Sequence, residues 1–400
     1  MTLTNPTYDA VVIGGGPAGA TAAAHLARQG RDVLLLERGG RIKPCGGAIP
    51  PRLIADFQIP DGLLVAKIRS ARMVAPSERH VDIPIEGGFV GMVDREVFDA
   101  WLRERAVAAG AELRTGRFER FERDPDGTAV IHYEPTDGPR GAPEVKVRAR
   151  AVIGADGANS AVAKQALPDL GRPPSVFAYH EIVRSPADGC GDFDASRCDV
   201  VYRSQVSPDF YGWVFPHGPC TSVGVGSAVK GFALRAATAA LRRASGLEDC
   251  ETVRHEGAPI PLRPLRRWDN RRDVVLAGDA AGVVAPASGE GIYYAMTGGQ
   301  LAAEAVDEFC QAGDARALRT ARKRFMRTHG QVFWILGVMQ HYWYANDSRR
   351  ERFVAICRDH DVQQLTFDAY MNKELVRAKP LAHVRIFFKN IAHLTGLAPA

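Results

Sequence analysis

The sequence predicts an α/β fold: a parallel sheet with crossover helices, an inserted antiparallel-sheet region and a helical C-terminal region. Three observations predict it. Residues 8–40, YDAVVIGGGPAGATAAAHLARQGRDVLLLERGG, read strand, glycine turn, helix, strand. Residues 273–306, DVVLAGDAAGVVAPASGEGIYYAMTGGQLAAEAV, read strand, Gly-Asp turn, glycine loop and long helix. Much of the sequence between them alternates like strands and is broken by polar turns.

Taken in order, the first strand is AVVI (10–13) and the second is DVLLLE (32–37). The turn after the first strand carries Gly14, Gly16 and Gly19, the G-x-G-x-x-G of a dinucleotide-binding unit. Gly14 permits the tight turn, Gly16 lets backbone approach a pyrophosphate, and Gly19 lets helix and strand pack closely. The pyrophosphate then sits at the helix N-terminus, where free N–H groups and the dipole favour an anion. Glu37 ends the second strand, where a carboxylate can accept both ribose hydroxyls. Pro17, Ala18 and Arg38 belong to the same unit and are counted with it as cofactor-binding positions.

Residues 68–91 contain strand-like pieces. DREVFDAWLRERAVAAG (94–110) is an amphipathic helix whose apolar stripe is Phe98, Trp101, Leu102 and Ala106. Residues 111–150 read as a β-meander with polar turns, DPDG and PTDGPRGAP. RARAVIGADGANSAVAK (148–164) is a strand that carries an Asp-Gly pair into a helix start. Residues 175–262 are strand-rich with one helix near 231–246, and beyond about 315 the chain is helical, basic and aromatic.

A chain of 400 residues is long enough for two domains, and 46% hydrophobic with 24% charged residues is ordinary for a globular protein. No apolar run reaches the roughly 20 residues that span a bilayer, and the polar N-terminus predicts no signal peptide. Seven cysteines without a C-x-x-C predict free thiols in a reducing cytoplasm and no metal site. Residues 315–400 hold 15 Lys and Arg against 6 Asp and Glu, so the rest of the chain is slightly acidic. That surplus is either a solvated helical face or an attraction to an acidic surface such as a membrane. No nucleic-acid motif accompanies it.

GGGPAG, GADGANS and LAGDAAG…GEGI occur in the order found in the FAD-dependent aromatic-hydroxylase superfamily, whose glutathione-reductase-like fold this sequence resembles. The resemblance implies that FAD fills the dinucleotide site. It also implies that Asp279 binds ribityl or ribose hydroxyls and that Arg95 touches the cofactor. The loop ending in Gly289, Glu290, Gly291 and Ile292 would lie beneath the isoalloxazine, at a helix N-terminus. KPCGGAIP (43–50) and YGWVFP (211–216) further resemble the geranylgeranyl reductases. The nearest likeness is to the geranylgeranyl diphosphate and geranylgeranyl-bacteriochlorophyll reductases of photosynthetic organisms, which reduce three of four double bonds to give phytyl.

The organisation expected from this resemblance is a discontinuous FAD-binding domain (1–70, 92–170, 265–312), a β-rich substrate domain (71–91, 171–264) and a helical region (313–400). The implied cofactors are FAD and an electron donor, NADPH or reduced ferredoxin. The implied substrate is a lipid or tetrapyrrole bearing a geranylgeranyl chain. The implied location is cytoplasmic, or peripheral at the cytoplasmic face of a photosynthetic membrane.

An isolated trisubstituted alkene has no carbonyl to polarise it, so hydride addition needs a proton on the other carbon and a dry site with π-faces. Tyr211, Trp213 and Phe215 alternate and so share one face of a strand, where they form a row of core aromatics or line a prenyl tunnel. Tyr211 and Trp213 are the catalytic candidates on that face. Cys45 is a third, beside Gly46 and Gly47, which allow close approach to a ring system; it gives a proton or fills space against the flavin. Proton donors are Cys45, Tyr211, His217 or water. HVRIFFKNIAHLTGL (383–397) places Ile386, Phe387, Ile391 and Leu394 on one helical face, and VFWILGVMQHYWY (332–344) is a second aromatic helix. These helices cap the FAD domain or touch a bilayer. Two other classes remain: a flavin monooxygenase or halogenase of the same fold, and a non-enzymatic isoprenoid-binding flavoprotein.

Overall fold

The computed structural model describes residues 6–371 and 373, except 41, 87, 140–141 and 187–190. The early strands are β1 (Thr7–Ile13), β2 (Val33–Glu37), β3 (Ala48–Ile49), β4 (Leu64–Ile68), β5 (Ser70–Val74), β6 (His80–Pro84) and β7 (Val90–Val93). The meander strands β8 (Glu112–Arg123), β9 (Ala129–Pro135) and β10 (Val145–Gly154) follow. Later come β11 (Ser175–Arg184), β12 (Arg197–Val201), β13 (Gly212–His217), β14 (Cys220–Ser227), β15 (Thr252–Pro261) and β16 (Val274–Leu276). Helices up to the fifth are α1 (Pro17–Arg28), α2 (Pro51–Phe57), α3 (Arg95–Ala108), α4 (Ala161–Ala166) and α5 (Leu234–Ala244). The others are α6 (Ile292–Ala312), α7 (Arg319–Trp343), α8 (Asp347–Ile356) and α9 (His360–Met371).

The described residues form two compact units. The first takes the chain up to Lys43, then Arg95–Ser175 and Pro259–Trp334. Its parallel strands pair in the order β8-β2-β1-β10-β16. Parallel strands are covered on both faces, which is why Ala10 to Ile13 and Val33 to Leu36 are uninterrupted apolar runs and are buried. The far halves of β8 and β10 leave the parallel sheet and pair antiparallel with β9, giving the expected meander. α1 meets α6 closely because both carry small residues there. A Cβ at Gly299 would strike the Ala18 backbone. In α3, Phe98, Leu102 and Ala106 are fully buried, while Trp101 stacks on Phe98 at 6.4 Å and receives the Arg105 guanidinium on its ring.

The second unit comprises Pro44–Asp94, Val176–Ala258 and the described residues from Ile335. Its large sheet runs β15-β11-β14-β13-β12-β5-β6, antiparallel except between β12 and β5. A small sheet, β3-β7-β4, accompanies it. Side chains alternate across the large sheet. Val183, Val214, Val223 and Val225 point to one face and pack with Ala237 and Leu241 of α5. The opposite face carries the Tyr211, Trp213 and Phe215 row.

Two boundaries differ from those drawn from the sequence. Residues 44–70 group with the antiparallel unit, because β3 and β4 find their hydrogen-bond partners on β7. The helical region from 313 is divided between the units at Trp334. Its first part is tied to the first unit by Arg322, which donates to the Leu265 carbonyl, and by Arg324, which pairs with Glu304 and Glu308. The helix expected over 383–397 lies outside the described residues.

Candidate functional site

The glycine turn of the first unit is built from backbone collisions that side chains would cause. Gly14 has φ +103°, and a Cβ there would overlap the Ala155 carbonyl. A Cβ at Gly19 would fall on the Gly14 carbonyl oxygen. Gly16 is different: a Cβ there meets nothing within 4 Å. Gly16 caps α1, Pro17 follows at the first helical turn, and no side chain caps the helix. The first-turn amides of α1 therefore face an open approach suited to an anion.

Glu37 leaves the end of β2 beside this turn, where its carboxylate accepts from the Gly15 and Gly39 amides. Arg103 of α3 donates to the Gly15 carbonyl at 3.3 Å. Arg38 is exposed, and its carbonyl accepts from the Thr136 hydroxyl. Asp279 lies in the turn after β16 and is nearly buried, with Lys43 Nζ 2.6 Å from its carboxylate. Gly289, Glu290 and Gly291 lead into α6 at Ile292, and Glu290 accepts from the Tyr293 amide at 2.9 Å. Arg95 sits buried in the first turn of α3 and donates to Asp99 at 2.8 and 2.6 Å. An open cradle at Gly16, an uncapped helix start and carboxylates at Glu37 and Asp279 fit a dinucleotide cofactor.

Sequence reasoning passed over Lys43, Arg103 and Asp156. Asp156, from GADG, accepts from the Ser160 hydroxyl and from the Ala161 and Val162 amides, so it caps α4. Burial pushes its carboxyl above the usual range, while those three donors pull it back.

In the second unit, the Cys45 loop lies against the end of the aromatic strand. A Cβ at Gly46 would sit 3.2 Å from the Phe215 ring. Gly47 has φ +68°, and a Cβ there would be 2.5 Å from His217 Nε2 and 2.6 Å from the Val93 carbonyl. The Gly47 amide points at Cys45 Sγ, 3.4 Å away. The pair of glycines thus lets the loop close on Phe215 and His217. Cys45 is half-buried and free, and it is close enough to Tyr211 to influence its ionisation. Burial raises the Tyr211 phenol far above its ordinary value, so it stays protonated. The structure therefore gathers Cys45, Tyr211 and His217 in one unit.

Burial also lowers His217 below the ordinary 6.5, against hydrogen bonding to the Phe215 carbonyl and the Gly46 backbone. Between about 6.5 and the folded value, the unfolded chain binds a proton that the folded chain does not, so stability falls as pH falls through that window. We expect the melting temperature to drop from pH 8 to pH 5 and His217→Gln to flatten that slope. His25, lowered in the same direction by burial, keeps the slope from vanishing.

Tyr211, Trp213 and Phe215 do share one face. Tyr211 and Trp213 ring centroids are 6.2 Å apart, and those of Trp213 and Phe215 are 6.3 Å apart. Phe210 stacks on Tyr211 at 4.2 Å, and Tyr202, Tyr344 and Phe353 extend the aromatic surface. Gly224 of β14 stands opposite Trp213, and Gly226 lies two residues further along the same strand. A Cβ at either would overlap a ring, so both glycines make room for aromatic bulk.

Residues 12–60 match a family model described as an NAD(P)-binding Rossmann-like domain, and residues 62–179 match one described as a FAD binding domain. The chain is 57% identical to the geranylgeranyl diphosphate reductase of Rhodobacter capsulatus, over 98% of each chain. It is 37% identical to the chloroplastic geranylgeranyl diphosphate reductase of Arabidopsis thaliana, over 98% of this chain and 86% of that one. Among solved structures, a geranylgeranyl bacteriochlorophyll reductase-like protein from Thermoplasma acidophilum shares the fold with a TM-score of 0.79 at 22% identity, covering 94% of this chain and 99% of that one. A flavin-dependent brominase shares it with a TM-score of 0.70 at 17% identity, over 96% of this chain and 99% of that one. Fold alone does not separate reductase from halogenase. The full-length identity to named reductases does, and the chain belongs to the geranylgeranyl reductase family of FAD-dependent oxidoreductases.

Proposed function

We propose that this chain saturates isolated double bonds of a geranylgeranyl chain to give phytyl. The chain is carried as the diphosphate or esterified to a bacteriochlorophyll, and NADPH or reduced ferredoxin is the electron source. The observation that carries the reading is the 57% identity, end to end, to a geranylgeranyl diphosphate reductase. The aromatic face of β13 supports the chemistry.

When bound and reduced, FAD supplies the hydride. The Gly14–Gly19 turn, the α1 N-terminus, Glu37 and Asp279 would hold it, with Gly289–Ile292 at the start of α6. The aromatic face of β13 is where the alkene would lie. Tyr211, Trp213 and Phe215 exclude water and offer π-faces to positive charge developing on the tertiary carbon. A proton must reach the carbon that receives no hydride. Tyr211, kept protonated by burial, and the Cys45 thiol are the candidate donors on this wall, while His217, its basicity lowered by burial, orients the loop. Cys45→Ala is expected to keep bound FAD and lower turnover at least about a hundredfold. Unchanged turnover would move the proton to Tyr211, and Tyr211→Phe would then show the loss.

Pigment mass spectrometry of a strain lacking the gene tests the function. Accumulated geranylgeranyl-esterified pigment supports it, and normal phytylated pigment sinks it.

Membrane contact is part of the same reading. No helix among the described residues is long and apolar enough to cross a membrane. The outer face of α7 reads Arg319, Lys323, Arg327, Trp334 and Val338, with Trp334 70% exposed. Cations followed by an exposed aromatic suit the surface of an anionic bilayer. Trp334→Ser is expected to weaken co-flotation with anionic vesicles several-fold; equal flotation would assign the contact elsewhere.

A further inference from the structure

Trp213 does not stand on its sheet face unaided. Its indole Nε1–H donates to the Ser222 hydroxyl at 3.1 Å. That hydroxyl is 3.0 Å from His180 Nδ1, and His180 Nε2 is 3.2 Å from Glu256 Oε2. Arg254 holds the other Glu256 oxygen at 3.2 Å. Ser222 and His180 are buried, and all five residues lie in the second unit.

The chemistry of these groups gives the line a direction. An indole N–H can only donate, so Ser222 Oγ accepts it and turns its own hydrogen to His180 Nδ1. The carboxylate can only accept, so the imidazole hydrogen sits on Nε2. Each donor then has an acceptor, from Trp213 through Ser222 and His180 to Glu256.

Strand register makes the line possible. Trp213, Gly224 and His180 stand in one row across β13, β14 and β11. Gly224 carries no side chain, so the indole lies over β14 toward β11, with His180 at 6.2 Å ring to ring. Ser222 projects from the same face of β14, two residues from Gly224. A single hydroxyl would satisfy the indole N–H. His180 and Glu256 do more, because they fix the hydroxyl rotor and with it the plane of the ring.

We infer that Ser222, His180 and Glu256 are positioning residues that lock the Trp213 indole plane, and that this plane determines which double bond of the prenyl chain is presented for reduction. The inference rests on the prenyl-reductase reading. A ring stabilises a developing cation through its face and not its edge. Rotating the indole therefore shifts where along the chain positive charge is tolerated.

The experiment compares wild type, Ser222→Ala, Trp213→Phe and the double variant, with geranylgeranyl diphosphate as the probe. Ser222→Ala should keep its FAD and its KM. Its turnover number should fall roughly two- to tenfold, as loss of one hydrogen bond allows, and partly reduced chains should accumulate. In the Trp213→Phe background, which has no N–H, Ser222→Ala should add nothing. His180→Gln should act in the same direction and serves if Ser222→Ala does not fold. An unchanged turnover number and product pattern, or equal effects in both backgrounds, overturn the inference. The ¹⁹F spectrum of 5-fluorotryptophan-labelled protein gives a readout independent of activity. The Trp213 resonance should be single and narrow in wild type and should shift or broaden in Ser222→Ala. No change in that resonance overturns the clamp. A wild-type protein that holds FAD but reduces no prenyl chain overturns the functional reading instead, and the resonance still decides the clamp.

Discussion

Gly19→Ala is expected to prevent the first unit from folding, whereas Gly16→Ala, three residues away, is expected to leave the fold intact and weaken FAD binding. A Cβ at Gly19 lands on the Gly14 carbonyl, and 3.1 Å from the Ala155 side chain. Gly14 cannot retreat, because its own position is pressed against Ala155. Overpacking of backbone on backbone should cost at least about 3 kcal/mol. A Cβ at Gly16 meets no protein atom within 4 Å. The apoprotein should lose at most about 1 kcal/mol, the cost of replacing glycine by alanine at a helix cap. The methyl would instead occupy the approach of the pyrophosphate, and loss of charge-assisted bonds to the α1 amides should weaken FAD affinity about ten- to a hundredfold. Thermal unfolding of both apoproteins and flavin titration of the Gly16 variant check the contrast. Equal destabilisation of the two would show that Gly16 is structural like its neighbour.

Gly224→Ala is expected to remove alkene reduction while FAD stays bound. Its Cβ would overlap the Trp213 six-membered ring and stand 2.5 Å from His180 Cβ. Neither neighbour can swing clear: Trp213 is bounded by Tyr211 and Phe215, and His180 Cβ is fixed to its strand. The variant should lose about 1–3 kcal/mol and displace the indole. The residues proposed to hold the flavin lie in other segments of the chain, so the visible absorbance of bound FAD should persist. Wild-type turnover in a folded Gly224→Ala protein would deny Trp213 its place at the alkene.

What could be read from the sequence was local. Gly14 and Gly19 are legible because the turn between strand and helix leaves no room for a Cβ at either, and Gly16 because a pyrophosphate needs close approach there. Tyr211, Trp213 and Phe215 are legible because strand side chains repeat every second residue. Residues whose role depends on register were hidden. Ser222 and His180 meet Trp213 only because β14 and β11 pair with it in one alignment, and no spacing along the chain announces that. Gly46 and Gly47 were read as cofactor-binding positions that let backbone approach the flavin ring, and the rings they face in this structure are the chain's own, Phe215 and His217. Arg95 shows a signal that was available: Asp99 stands four residues on, one helical turn away, where a buried arginine finds a partner. The 44–70 boundary depended on β3 and β4 choosing β7, a pairing between short strands with little sequence signature.

The chain leaves and re-enters each unit, passing between them at residues 43, 94, 175, 258 and 334. This bears on how the protein is made. β1 needs β10 as its second neighbour, and β10 needs β16, so the first sheet cannot close until residue 276 has been synthesised. At the pace of translation, β1 and β2 wait on the order of ten seconds with open hydrogen-bonding edges and apolar faces on both sides. Every shorter product is an unfinished sheet. Nascent chains of this protein are therefore expected to need holding chaperones, and neither unit is one contiguous fragment of the chain.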